Sequence, residues 1–321
     1  MSNFFSSNEF FTAYARSKFP KESFSIEPVS VGGSSFKLLK VKGSFVTSLP
    51  FQDFLEPCSE TLPVREKIAY LPRVSLTRMS ADDWLLQQDV EKEKGHSPSP
   101  LTDWTKFQSW DDYLSWTQGR NKNAFSKNTQ YKFRRLERAL GKISFDFNSI
   151  DRDILELCFD WKSDQYRASG LVDGLSKGAF NRIFFKQMFD DGLLTIAVMK
   201  AGDTILAIHI GVVWHNRFYY WVPAFDPAHR KHSAGSILLE KMIEWSYREG
   251  HSEFDWLEGG EPYKFTYATD VRIMETIGTP PPIERIWKPV RKKLIVHIRK
   301  YTTLYETARS LKRFVLNQRM K

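Results

Sequence analysis

RFYYWVPAFDPAHRKHSAGSILLEKMIEWSYREGHSEFDWLEGGEPYKFTYATDVR, running from Arg217 to Arg272, is the stretch on which the fold turns. Its aromatic opening, Phe218 to Val222, has strand composition and gives way to a turn at Asp226-Pro227. A polar loop, Arg230-Lys231-His232-Ser233-Ala234-Gly235-Ser236, then opens a helix, and Phe254-Asp255 ends a short second strand ahead of Glu258-Gly259-Gly260-Glu261-Pro262-Tyr263-Lys264. The first N–H groups of a helix have no intrahelical partner and its dipole favours negative charge there, so a strand delivering such a loop onto a helix start makes a cradle for anions. Arg230, Lys231, Ser233, Ala234, Gly235 and Ser236 are the candidate phosphate-binding residues. An ordinary helix start capped by Ser233 or Ser236 accounts for the same residues.

Working outward, 321 residues with 41% hydrophobic content suffice for roughly two domains with sizeable cores. The net charge of +9 is concentrated: residues 284–321 hold twelve Lys/Arg against two Glu, leaving the body almost neutral. A nucleic-acid-binding body carries its own basic face, so this distribution argues against one. Two cysteines, Cys58 and Cys158, follow no metal or redox spacing and fit a reduced, cytoplasmic compartment. The N-terminal MSNFFSSNEFF lacks the basic and apolar regions of a signal peptide, and no apolar run is long enough to span a membrane.

In chain order, a short Phe-rich N-terminal helix precedes strands at 35–42, 43–49 and 67–76. Val90 to Leu101, VEKEKGHSPSPL, reads as a loop or inter-domain connection because it is charged and then Ser/Pro-rich. Two helices with a basic face follow between 104 and 140. A strand at 143–147 and helices at 151–167 and 176–190 lead to three apolar runs, 193–200, 204–214 and 218–222. The short polar joints between those runs, 201–203 and 215–217, are hairpin signals, so the runs form an antiparallel meander. The expected class is α/β, an α+β arrangement on a mixed sheet, divided as 1–95, 96–278 and 279–321. The last piece is a proline linker, Thr279 to Ile283, followed by a basic amphipathic helix suited either to an anionic membrane surface through 284–321 or to packing on the body.

Residues 120–272 resemble the GNAT-type domain of cellulose-biosynthesis acetyltransferases of the CelD/BcsL class and, more distantly, Fem-type peptidyltransferases. The resemblance is carried by Gly202-Asp203, Leu206-Ala207-Ile208, Tyr220-Trp221 and Ala224-Phe225-Asp226-Pro227. Arg230, Ser233, Gly235, Leu238-Leu239, Gly250, Phe254-Asp255 and Glu258 to Lys264 complete it. It implies two GNAT-like halves and an acyl-CoA-dependent transferase that uses acetyl-CoA or another acyl-CoA as co-substrate, with no metal. The implied acceptor is a small molecule or saccharide, a cell-envelope precursor, met in the cytoplasm or peripherally at the inner face of the membrane. The loop from Arg230 to Gly235 is poorer in glycine than the common GNAT phosphate loop. Two alternatives stand beside this reading: a Fem-like transferase fed by charged tRNA, the one nucleic acid this chain would then bind, and a non-catalytic scaffold of a polysaccharide assembly.

Acyl transfer needs the donor phosphates held, the carbonyl polarised and a base near the acceptor. Asp255, a carboxylate among aromatics at a strand end, is the leading base and Glu258 the second; Asp255 is equally suited to bonding the turn that follows it. Lys264 would stabilise negative charge or pair with Glu258 or Glu261. His209 is a candidate for proton transfer on the second meander strand, or a hydrogen-bonded core histidine. Tyr219, Trp221 and Tyr263 are the candidate acceptor-binding residues. His229 and His232 lack the further ligands a metal site requires.

Overall fold

Alternating and continuous apolar runs separated by turn residues build two sheets in the computed structural model, which describes residues 3–58, 66–122, 124–125, 127–169 and 173–279. Helix α1 (Asn8–Lys18) is capped by Ser7, whose side chain accepts the Phe10 N–H. It precedes β1 (Phe24–Val31), β2 (Ser34–Val41), β3 (Ser44–Val46) and β4 (Glu66–Lys67). These four strands form a small sheet ordered β3-β2-β1-β4.

The chain continues through β5 (Tyr70–Ser80), α2 (Ala81–Glu93), β6 (Ser97–Asp103), α3 (Trp110–Arg120), α4 (Lys127–Leu140) and β7 (Ile143–Asp146). Next come α5 (Arg152–Ala168), α6 (Phe180–Asp190), β8 (Thr195–Ala201), β9 (Thr204–Trp214) and β10 (Arg217–Phe225). It closes with α7 (Ala234–Arg248), β11 (Glu253–Asp255), α8 (Pro262–Tyr267) and β12 (Asp270–Gly278). The large sheet is ordered β5-β12-β6-β11-β10-β9-β8-β7, so strands from both sides of residue 96 share it. The fold is mixed α/β on a mixed sheet, with β10 and β11 parallel and their flanking pairs antiparallel.

The meander forms as its composition predicts: β8, β9 and β10 pair in sequence. At the β9–β10 joint His215 and Asn216 both have positive φ, 46° and 62°, the backbone that a two-residue hairpin matching the strand twist requires. The N-terminal phenylalanines also pack as their clustering suggests, with Phe4, Phe5, Phe10 and Phe11 fully buried.

The stretch 90–101 differs from expectation. It holds the end of α2 and most of β6, an interior strand between β12 and β11, although proline normally avoids such positions because it cannot donate to the ladder. The carbonyls of Pro98 and Pro100 accept the N–H groups of Gly259 and Trp256, both at 3.0 Å. Their missing donors therefore face the segment beyond the end of β11, where the ladder has stopped. The basic helix expected in 284–321 lies outside the described residues.

One core fills the face carrying α1, α5, α6 and the small sheet, and includes Tyr219, Val222 and Ala224. A second fills the face carrying α2, α3, α7 and α8, and includes Phe218, Tyr220, Phe254 and Trp256. The alternation of β10 and β11 side chains between these cores fixes which residues reach the site.

Candidate active site

Strands β10 and β11 pair only from Arg217 to Tyr219 against Glu253 to Asp255. A register shift between Tyr220 and Val222 marks a bulge in β10, which bends a strand and interrupts pairing. Beyond it β10 runs on to Phe225, whereas the other chain leaves the sheet through Leu257 at φ 60°. His209 anchors the bulge from β9: its Nε2 accepts the Trp221 N–H at 3.0 Å, and its ring stacks on Tyr220 with centroids 4.2 Å apart. Burial, and then the Lys162 charge, hold the His209 pKa well below the ordinary imidazole range. His209 is thus a neutral residue of the strand interior.

The divergence opens a cleft of about 460 Å³ between β10, the start of α7, α5 and α8. Arg230, Ser233, Ala234, Gly235 and Ser236 line it, which brings together five of the six residues proposed for phosphate binding; Lys231 is exposed beside them. The approach to α7 is a short 3-10 turn, Pro227–His232, fixed by Asp226, whose carboxylate accepts the Ala228 N–H at 2.8 Å and meets His229 Nδ1 at 2.7 Å. Ser233 adopts the left-handed backbone, φ 57°, and makes no side-chain cap. The first turn of α7 therefore presents backbone donors with Arg230 close by, the chemistry that holds phosphate. Tyr263 also lines this cleft, its pKa pushed up to about 12 by burial and then by Glu261.

The other candidates sit apart from the cleft. Asp255 is fully buried; Oδ1 accepts the Leu257 N–H at 2.9 Å and Oδ2 pairs with Arg272 Nη1 at 2.7 Å. Burial raises its pKa, opposed by Arg272 and Arg217. Arg272 also binds Glu253 and Glu56, and Arg217 binds the same two glutamates, so Asp255 belongs to a buried charge network that fixes the β11 end. Tyr219 is buried beside it, its hydroxyl bonded to Phe4 N–H and Arg217. Trp221 packs among Phe4, Phe5, Phe51 and Phe185. Both aromatic rings face the first core.

Lys264 organises the loop that follows β11. Its Nζ donates to the Glu258 carbonyl at 3.1 Å and pairs with Glu261 at 3.1 Å, while its side chain is only 7% exposed. A Cβ at Gly259, φ 151°, would lie 2.1 Å from Glu261 Oε2 and 2.6 Å from Lys264 Nζ, so only glycine fits there. Glu258 points into a separate polar cleft of about 440 Å³, where its carboxylate accepts Ser97 Oγ–H at 2.7 Å and lies 3.6 Å from Arg73.

Two residues with site character gave no motif in the sequence. Asp53 accepts the Glu258 N–H at 3.2 Å, and burial, reinforced by the Glu258 charge, raises its pKa to about 7, the range of a working general base. Lys162 of α5 lines the α7 cleft, and burial lowers its pKa. Its signal is positional, since it continues the stripe Leu155, Cys158 and Phe159, all buried. Among the described residues no group of three or more His, Cys, Asp or Glu side chains is placed to hold a metal ion, and no helix is long and apolar enough to cross a membrane.

No curated protein matches the chain in sequence. Among solved structures, FemX shares the fold at 11% identity, with 88% of this chain and 94% of that one covered and a TM-score of 0.51. The C-terminal DUF2156 domain of a putative lysylphosphatidylglycerol synthetase from Agrobacterium fabrum aligns at 11% identity, over 85% and 88% of the two chains, with a TM-score of 0.48. Residues 123–265 match the acetyltransferase (GNAT) domain family, a span that takes in the meander, its bulge and the residues lining the α7 cleft.

Proposed function

We propose that the chain is an acyl-CoA-dependent N- or O-acetyltransferase that moves an acyl group directly onto an amino or hydroxyl group of a saccharide or cell-envelope precursor. The α7 cleft carries this reading. It joins a helix start suited to phosphate to the open edge of β10, inside the span that matches the acetyltransferase (GNAT) family. Arg230, the Ala234 and Gly235 N–H groups and the Ser233 and Ser236 hydroxyls would hold the pyrophosphate, since the Ser233 and Ser236 N–H groups are bound to the Arg230 and Ser233 carbonyls, and the acyl end would lie toward Tyr220 and Tyr263. Because Asp255 is committed to Arg272 and Leu257, Glu258 and Asp53 are the carboxylates suited to accept the acceptor's proton. The polar cleft lined by Glu258, Arg73 and Ser97 suits a hydroxylated acceptor.

Isothermal titration with CoA and acetyl-CoA at low salt tests the donor. Micromolar binding that Arg230→Ala weakens about tenfold is expected; no heat with either ligand removes the cofactor assignment.

A second reading, aminoacyl transfer from charged tRNA, is favoured by the FemX-like fold across almost the whole of both chains. A salt-dependent mobility shift with charged tRNA, in a chain that ignores CoA, would establish it in place of the first. Under either reading, peripheral attachment to an anionic membrane through 284–321 is part of the proposal, since it would bring the enzyme to a membrane-delivered acceptor.

A further inference from the structure

Between the bulge and Pro223 the exposed edge of β10 is poor in donors. At the bulge, the Trp221 N–H is bound to His209 Nε2. Two residues on, Pro223 has no N–H. The carbonyls of Pro223 and Phe225 are turned toward α5, where Lys162 Nζ donates to the first at 3.0 Å and Gln165 Nε2 to the second at 3.3 Å. From the bulge to Pro223, then, the strand offers a bound acyl group no backbone N–H.

Acyl transfer requires one, because the carbonyl oxygen gains a full charge when the acceptor attacks. Lys162 is the cation at this place. Its half-buried stem lies along α5, it lines the cleft, and one of its three N–H bonds is used on Pro223. Among the described residues its ammonium makes no ion pair, and Glu261 acts on it only at longer range. Lys264, by contrast, is saturated by Glu261 and loop carbonyls.

We propose that Lys162 is a catalytic residue that donates to the acyl oxygen in place of a backbone amide. This rests on the transferase reading above but holds for either donor, since both present an acyl carbonyl. The acceptor's amine or hydroxyl adds to the acyl carbon and the carbonyl π pair moves to oxygen, which accepts a hydrogen bond from Lys162 N–H. Collapse restores the C=O and breaks the bond to the leaving group, a thioester sulfur in acyl-CoA or an ester oxygen in charged tRNA. The proton lost by the acceptor ends on that leaving group, and Lys162 keeps its own throughout.

Acetyl-CoA turnover, with water as acceptor and release of free thiol as the readout, and alanyl-tRNA deacylation both pass through the same oxyanion. Lys162→Met keeps the stem and removes the charge. It should leave the CoA dissociation constant within about threefold and lower kcat by about 100-fold, the scale of losing one oxyanion donor. Lys162→Arg should retain part of the rate and move the alkaline limb of the kcat profile to higher pH, because burial lowers the lysine pKa and rate is lost as that proton leaves. Undiminished kcat in Lys162→Met overturns the role while leaving the donor assignment intact. A raised dissociation constant with unchanged kcat makes Lys162 a binding residue only, and also overturns it. A wild-type chain that binds CoA yet turns over neither donor rejects the catalytic role. One that neither binds CoA nor acts on charged tRNA removes the transferase reading together with it.

Discussion

At the scale of single residues, charge and backbone freedom in the loop after β11 decide the most direct tests. Asp53 holds its proton more tightly folded than unfolded, its pKa having risen to about 7. The stability from that proton is complete below the unfolded value, roughly 4, and is lost as pH rises through about 7. Asp53→Asn keeps an acceptor for the Glu258 N–H and abolishes the titration. Its melting temperature should exceed that of the wild type at pH 8, with the advantage shrinking by pH 5; an identical difference at both pH values rejects the account. Gly259→Ala drives a methyl group into Glu261 and Lys264. Urea denaturation should show a loss of about 2 kcal/mol, and unchanged stability would mean that the ion pair is not what closes this loop. Lys162 and Asp53 escaped the motif reading for different reasons. Lys162 lies in a helix rich in charges, some exposed and some paired with Arg182, so only its place on an apolar stripe distinguished it. Asp53 is brought to Glu258 across 205 positions of sequence, a contact no local pattern encodes.

At the scale of elements, the β10 bulge depends on a side chain from the neighbouring strand. His209→Leu fills similar volume but leaves the Trp221 N–H without its acceptor. A buried unpaired donor costs about 1–3 kcal/mol, so chemical denaturation should report that loss and amide exchange at Trp221 should accelerate; slow exchange would show another acceptor. The meander was legible because its strands are near-continuous apolar runs and its hairpins depend on local turn chemistry. Strand β6 was not, since SPSPLTD carries the composition of a loop and becomes a strand through its ladders to β12 and β11, with its two proline carbonyls meeting donors contributed from 256–259. The helix start at Ser233–Ser236 was visible in the sequence, but the basic turn before it owes its shape to Asp226. Similarly, the alternation of Tyr219, Tyr220 and Trp221 was plain, while the face each took depended on the two cores.

For the whole molecule, the small sheet and N-terminal helix do more than cover a face. Glu56 reaches Arg217 and Arg272, and Phe4 N–H bonds Tyr219, so residues before 60 brace the end of the parallel pair. The carboxylate proposed here as a base, Asp53, arrives by the same route. The membrane proposal belongs at this scale too. In flotation with vesicles containing about 30% anionic lipid, the full chain should float at low salt and release as salt rises. A chain ending at Pro282 should stay in the dense fraction, and equal flotation of the two would reject attachment through 284–321.

The two prolines of β6 have a bearing on the cleft itself. The segment after Asp255 can donate to the Pro98 and Pro100 carbonyls but can receive nothing back, because neither proline has an N–H. A two-way ladder cannot grow there, so the pairing of β6 with β11 ends at Asp255. The cleft beside β10 thus begins where a neighbouring strand, by its covalent chemistry, can no longer exchange hydrogen bonds in both directions.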